Sequence, residues 1–211
     1  MSSSKHRSPY RRSEQLQRIA WAVCCAVLFR WSPRPFWDWR AWLLRRFGAT
    51  IGREVHIHNT ARIAFPWMLT IGKHSAVGDR AELYCLGPLT IGAHVTISQE
   101  ALLCGGTHDY TTREMPLIRA AIRIDDDAWI CARAFVGPGV TVETGAIVGA
   151  GSVVTRDVPA WTIVGGNPAI FLKARPFKDR RSLPVQDAVV DGIPTATSET
   201  AIAEVDHADD R

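Results

Sequence analysis

A chain of 211 residues, 46% hydrophobic and 22% charged, is long enough for one globular domain with appendages, and its composition excludes wholesale disorder. The net charge of +4 is uneven: residues 1–50 carry ten Lys/Arg against two Asp/Glu, residues 51–177 eleven against eleven, and residues 178–211 four against eight. The basic excess lies outside the central block, which argues against nucleic acid as a partner of the core.

Residues 1–14, rich in Ser and Arg, are predicted to be mobile, and 15–50 to form an aromatic-rich helical segment. Its apolar run, residues 19–29, is eleven residues long and bounded by Arg18 and Arg30. That is short of the roughly 20 residues a spanning helix needs, and no signal-peptide cleavage pattern follows it. Five of the eight tryptophans fall between Trp21 and Trp42, interleaved with Arg30, Arg34 and Arg40. Two compatible readings follow: the aromatics dock onto the main domain, or they contact a membrane surface. Ser32-Pro33-Arg34-Pro35 separates two helical stretches, because proline disfavours helix at itself and at the residue before it. The five cysteines, Cys24, Cys25, Cys85, Cys104 and Cys131, are odd in number and lack C-x-x-C spacing, as expected of reduced thiols in a cytoplasm.

A period begins at residue 51. Ile51, Ile57 and Ile63 are six apart, as are Ile71, Val77, Leu83, then Ile91, Ile97, Leu103; the series resumes as Ile124, Ile130, Val136, Val142, Val148 and Val154. Four residues after each aliphatic, in the uninterrupted hexapeptides, stands Ala, Ser or Val, from Val55 and Ala61 through Ser152 and Val158. Six residues are three strand periods, so the same face returns to the core at every repeat. A short strand and a tight corner, repeated three times, close a triangular coil of eighteen residues, and stacked coils share their buried faces. The expectation is a mainly β protein, a parallel β-helix of about five coils over 51–175 with an end cap. Two coils carry two extra residues on the third side, near 65–69 and 85–89, and about fifteen residues between Leu103 and Ile124 are expelled as one loop. Residues 176–211, acidic and without an aromatic beyond Phe177, are expected to form a disordered tail.

That single large insertion contains His108, the one histidine of seven so placed, flanked by Gly105, Gly106, Asp109 and Tyr110. Loops on a rigid scaffold commonly carry function, and imidazole can take a proton from an alcohol attacking a thioester. Asp109 is the adjacent acid that would orient the ring. Cys104 reads as a corner residue beside core Leu103 rather than as a nucleophile. His74 and His94, one twenty-residue coil apart, should stack in a column; with no third histidine and Glu54 in the preceding coil, they leave a zinc enzyme of the carbonic anhydrase type only as an alternative, beside a non-catalytic scaffold.

The segments Gly87-Pro88-Leu89-Thr90-Ile91-Gly92, Cys104-Gly105-Gly106-Thr107-His108-Asp109-Tyr110, Gly149-Ala150-Gly151-Ser152-Val153-Val154-Thr155 and Gly165-Gly166-Asn167-Pro168-Ala169 resemble the hexapeptide-repeat acyltransferases, especially the colanic-acid-biosynthesis and maltose-type O-acetyltransferases. The likeness covers roughly residues 16–175. It implies a left-handed parallel β-helix, a homotrimer, acetyl-CoA as co-substrate with no metal, and a sugar or lipid-linked glycan as acceptor. It further implies direct attack by a sugar hydroxyl with His108 as base and a backbone N–H holding the oxyanion. The cysteines and the Trp/Arg pattern of the N-terminal segment add the expectation of a cytoplasmic enzyme with peripheral membrane contact through that segment. The matching cofactor positions are Ala132, Ala150, Thr155, Arg156 and Lys173; the acceptor side would be Tyr84, Cys85, Tyr110 and Trp129. Departures from the pattern are Ala132 for a common Ser, Cys131 for Gly, Ile170 for Arg and Cys85 for Asn.

Overall fold

The computed structural model describes residues 12–176; the acidic tail from 177 and residues 1–11 lie outside them. The strands form three parallel sides of a triangular coil. The first side stacks Thr50–Ile51, Leu69–Ile71, Leu89–Ile91, Ile122–Ile124 and Thr141–Val142; the third stacks Arg62–Ile63, Glu82–Tyr84, Leu102–Cys104, Phe135–Val136 and Val153–Val154. The second runs from His56–Ile57 through Ala76–Val77, Thr96–Ile97, Trp129–Ile130 and Ile147–Val148 to Thr162–Gly165, and Ile170–Ala174 closes it antiparallel.

The six-residue period accounts for the register. Ile51 pairs with Ile71, Ile71 with Ile91, Ile91 with Ile124 and Ile124 with Val142, so each side carries one aliphatic column. All fifteen repeat positions are at most 7% exposed. Burying each contributes about 1.5–3 kcal/mol, which makes these columns the main stabilising element. The Ala/Ser/Val column fills the corners and is buried throughout.

Five complete coils are followed by a partial sixth, one beyond the expected count. Val158 bridges to Val142 and Val164 pairs with Val148. Val158 to Val164 is again six, but only four residues separate Val154 from Val158, so the register breaks before the last turn.

At the first corner the chain turns through the left-handed region at Glu54, His74, His94, Asp127, Gly145 and Trp161. Gly145 is required there, because a Cβ would stand 2.6 Å from the Trp161 ring. Stacking is equally tight at Gly72, whose added Cβ would meet the backbone of Gly92 at 2.5 Å.

Two helices cover one end and one flank. α1 (Arg12–Cys24) continues into a π-helical turn (Cys25–Phe29); it begins within the stretch expected to be mobile. It docks through Trp21, whose indole N–H donates to the Ile63 carbonyl at 2.6 Å and whose ring meets Phe29 and Phe47 edge-on. α2 (Trp37–Arg46) packs Ala41, Leu43 and Leu44 inward over the open first coil. The fully buried Arg40 ties this cap together. Its guanidinium donates to the carbonyls of Ile57, Pro33 and Arg34 and to Ser32 Oγ, spanning the coil and the Ser-Pro-Arg-Pro turn. The aromatic segment therefore docks in part, while Trp31, Trp39 and Trp42 stay exposed. No helix among the described residues is long and apolar enough to cross a membrane.

Candidate active site

The expelled loop is a hairpin on the third corner of the third coil. Gly106–His108 pairs antiparallel with Leu117–Arg119, setting His108 opposite Leu117. Its base is fixed to the coil: the Gly105 N–H donates to the Tyr84 carbonyl and the Ala120 N–H to the Gly105 carbonyl, each at 2.9 Å. A side chain at Gly106 would stand 2.6 Å from Leu86 and 3.3 Å from the Tyr84 ring, so the hairpin leaves the coil over Tyr84. Arg119 pairs with Glu14 at 3.1 Å, which ties the returning strand to α1.

His108 is exposed, and its Nδ1 lies 2.6 Å from the Met115 carbonyl. A carbonyl only accepts, so Nδ1 carries the proton in the neutral ring and Nε2 keeps a lone pair. The orienting partner is thus a backbone oxygen across the hairpin. Asp109 does not fill that place: its Oδ1 accepts from the Thr111 N–H at 2.9 Å and the Thr111 hydroxyl at 2.5 Å. Those bonds hold its carboxyl below the usual carboxylate range. No sequence signal marks a backbone carbonyl, which is why Met115 escaped the reading.

Tyr84 stands on the wall of a cleft of about 890 Å³ between α1 and the third side, lined also by Arg18, Trp21, Arg62 and Glu82. The cleft adjoins the hairpin base through Tyr84, over which Gly106 passes. Cys85 faces the other way. Strand alternation that turns Tyr84 outward turns Cys85 inward, where it is 0% exposed with its thiol against the Leu83 carbonyl, and burial pushes its pKa up. The expected acceptor contact at Cys85 is corrected accordingly. Tyr110 is 84% exposed just beyond the hairpin strand.

The expected cofactor positions fall on two corners. Ala132 and Ala150 share the second corner, where the Gly151 N–H donates to the Ala132 carbonyl at 2.9 Å. Ala150 lines a groove of about 640 Å³ with Gly149, Gly165, Gly166, Ile170 and Leu172. Its walls are small and mostly apolar, with Ser152 and Asn167 as the polar members. Ile170, which sequence comparison marked only as a departure, is part of that wall. Trp129 lies on the second side near this corner, with its indole on Ser98 Oγ at 2.9 Å. Thr155 and Arg156 are exposed on the third corner, the corner from which the hairpin springs, and Lys173 is exposed on the closing strand. One chain thus carries two groups of expected site residues, one side of the triangle apart.

His74 and His94 do stack, 4.9 Å between ring centroids, and Glu54 approaches His74 Nδ1 at 3.0 Å. Among the described residues no group of three His, Cys, Asp or Glu side chains could hold a metal ion.

The family model for bacterial transferase hexapeptide (six repeats) matches residues 121–156. A hexapeptide-repeat acetyltransferase of Vibrio cholerae, solved with acetyl coenzyme A, superposes with a TM-score of 0.72 at 26% identity, over 82% of this chain and 94% of that one. A galactoside acetyltransferase solved with coenzyme A gives the same TM-score of 0.72 at 19% identity, over 86% and 90%, a likeness of fold. WcaF of Escherichia coli strain K12, named as a colanic acid biosynthesis acetyltransferase, is 44% identical over 158 residues, 75% of this chain and 86% of its own length. The chain belongs to the hexapeptide-repeat acetyltransferases. It is therefore a transferase by family, and its similarity to WcaF extends over most of both proteins.

Proposed function

We propose that the chain transfers an acetyl group from acetyl-CoA to a sugar hydroxyl in the synthesis of a colanic-acid-type exopolysaccharide, with His108 as general base. The observation that carries this is the Nδ1 contact with the Met115 carbonyl, 2.6 Å, which leaves Nε2 free to accept a proton. The acceptor hydroxyl gives its proton to Nε2 while its oxygen attacks the acetyl carbonyl. The new C–O bond forms, the thioester C–S bond breaks, and the imidazolium returns the proton to the departing thiolate.

The groove beside Ala150 suits the pantetheine arm, and the exposed cations Arg156 and Lys173 supply charge for its phosphates. The cleft beside Tyr84 takes the sugar. The separation of Trp129, Ala132 and Ala150 from the His108 hairpin supports a homotrimer in which one copy's second corner meets its neighbour's hairpin. The reading carries a cytoplasmic location at the inner membrane face, where a lipid-linked glycan precursor presents its sugars. Its similarity to WcaF supports the glycan class.

The test is product identification. Purified protein, acetyl-CoA and a panel of sugars and polysaccharide fragments should yield acceptors heavier by one acetyl group, released by hydroxylamine as an ester would be. Transfer to amino sugars alone, at nitrogen, would sink the proposal.

A further inference from the structure

α1 and the turn after it are apolar on both faces, and among the described residues only one face is covered. Trp21 and Phe29 point into the body, 3% and 0% exposed. On the opposite face Leu16, Val23 and Val27 are 68%, 61% and 60% exposed at spacings of seven and four, with Ile19 at the border of the cleft. Trp31, 83% exposed, follows at the end of the stripe, with Arg30 and Arg34 exposed beside it. No exposed residue from 13 to 31 is acidic; Glu14, half-buried, is paired with Arg119.

We propose that this face lies on a bilayer surface rich in anionic phospholipids. An uncovered aliphatic stripe with an aromatic end and a basic rim is the pattern of a helix that lies in the interface plane. The stripe from Leu16 to Val27 is about 17 Å long at 1.5 Å per residue, so it lies along the surface and does not span. Charge decides between occupants. The first fifty residues hold ten basic against two acidic side chains; with Arg40 buried in the cap, nine against two remain for phosphate headgroups to neutralise. A second copy brings the same basic segment and a body of eleven against eleven, and its one acidic surplus, eight against four in residues 178–211, is smaller than the basic excess of its own first fifty residues. The docking rests on the acetyltransferase reading for its purpose: the helix that touches lipid on one face walls the acceptor cleft on the other, so a lipid-linked sugar is delivered beside the hairpin.

The test is co-sedimentation of the full chain with vesicles of phosphatidylcholine containing one-third phosphatidylglycerol, against phosphatidylcholine alone. The anionic vesicles should bind the protein in a salt-sensitive manner. The double variant L16D/V23D, altered only at exposed positions, should lose binding by about tenfold or more while keeping the wild-type circular dichroism melt. Its acetylation of a free, water-soluble sugar should be unchanged, so loss of docking and failure of the enzymatic reading are told apart. Equal binding by wild type and variant, or no binding to anionic vesicles, overturns the inference. So does a smaller assembly of the variant in light scattering, which would make the face a contact between copies.

Discussion

His108 and Asp109 are neighbours in sequence and differ in what surrounds them. The ring is held by the Met115 carbonyl, whereas the carboxylate is spent on Thr111 in a turn of the same hairpin. Asp109→Asn should therefore keep kcat within about threefold, since the orienting bond is elsewhere and only a loop hydrogen bond is weakened. Steady-state thiol release checks this; a loss comparable to removing a catalytic base would return Asp109 to the role the sequence suggested. The same scale shows why part of the site was hidden. The hairpin that carries His108 was legible as the one large break of a regular period. Met115 acts through its backbone, which no residue type announces. Cys85 was misread because a matching position says nothing about which way a strand turns its side chain; alternation places Tyr84 out and Cys85 in.

The elements divide between those that repeat and those that clamp. The coils were legible almost to the residue because every sixth position reports directly on the interior; the sixth coil was not, since a four-residue step precedes Val158. The clamp formed by Arg40 was invisible, because its partners are mostly carbonyls drawn from Ile57 and the Ser-Pro-Arg-Pro turn. Arg40→Met leaves those buried acceptors without a donor and should cost about 3 kcal/mol or more in urea unfolding. On the second corner Glu100 lies between Arg80 and Arg133, and the Arg80 hydrogen bond, then that from Arg133, holds its carboxyl below the usual range. A carboxyl depressed in the folded state stabilises above its unfolded pKa, and this is lost as pH falls through the folded value. The melting-temperature gap between wild type and Glu100→Gln should thus be present at pH 7 and narrow below about pH 4. A gap independent of pH would remove the Arg80–Glu100–Arg133 contacts as its source.

For the whole molecule, the charge gradient of the sequence becomes a division of labour. The neutral central block is the β-helix with the proposed site, while the basic start supplies the cap, the cleft wall and the outward apolar stripe. The two groups of expected site residues on neighbouring corners predict that catalysis needs adjacent copies. His108→Ala and Ala150→Trp, each inactive alone, should regain about a quarter of wild-type activity when dissociated, mixed in equal amounts and reassembled, because each site then draws one intact half at random from each neighbour. Mixtures that stay inactive would place the whole site within one chain.

The central claim is that the His108 imidazole accepts the proton of a sugar hydroxyl during direct acetyl transfer. Its most direct test is acetyl-CoA-dependent thiol release with an acetylatable sugar, compared between wild type and His108→Ala at matched circular dichroism and melting temperature. The account predicts a fall in kcat of about 10²–10⁴-fold, with little change in the affinity for CoA measured by calorimetry. A folded His108→Ala protein that acetylates the sugar at near the wild-type rate would contradict it.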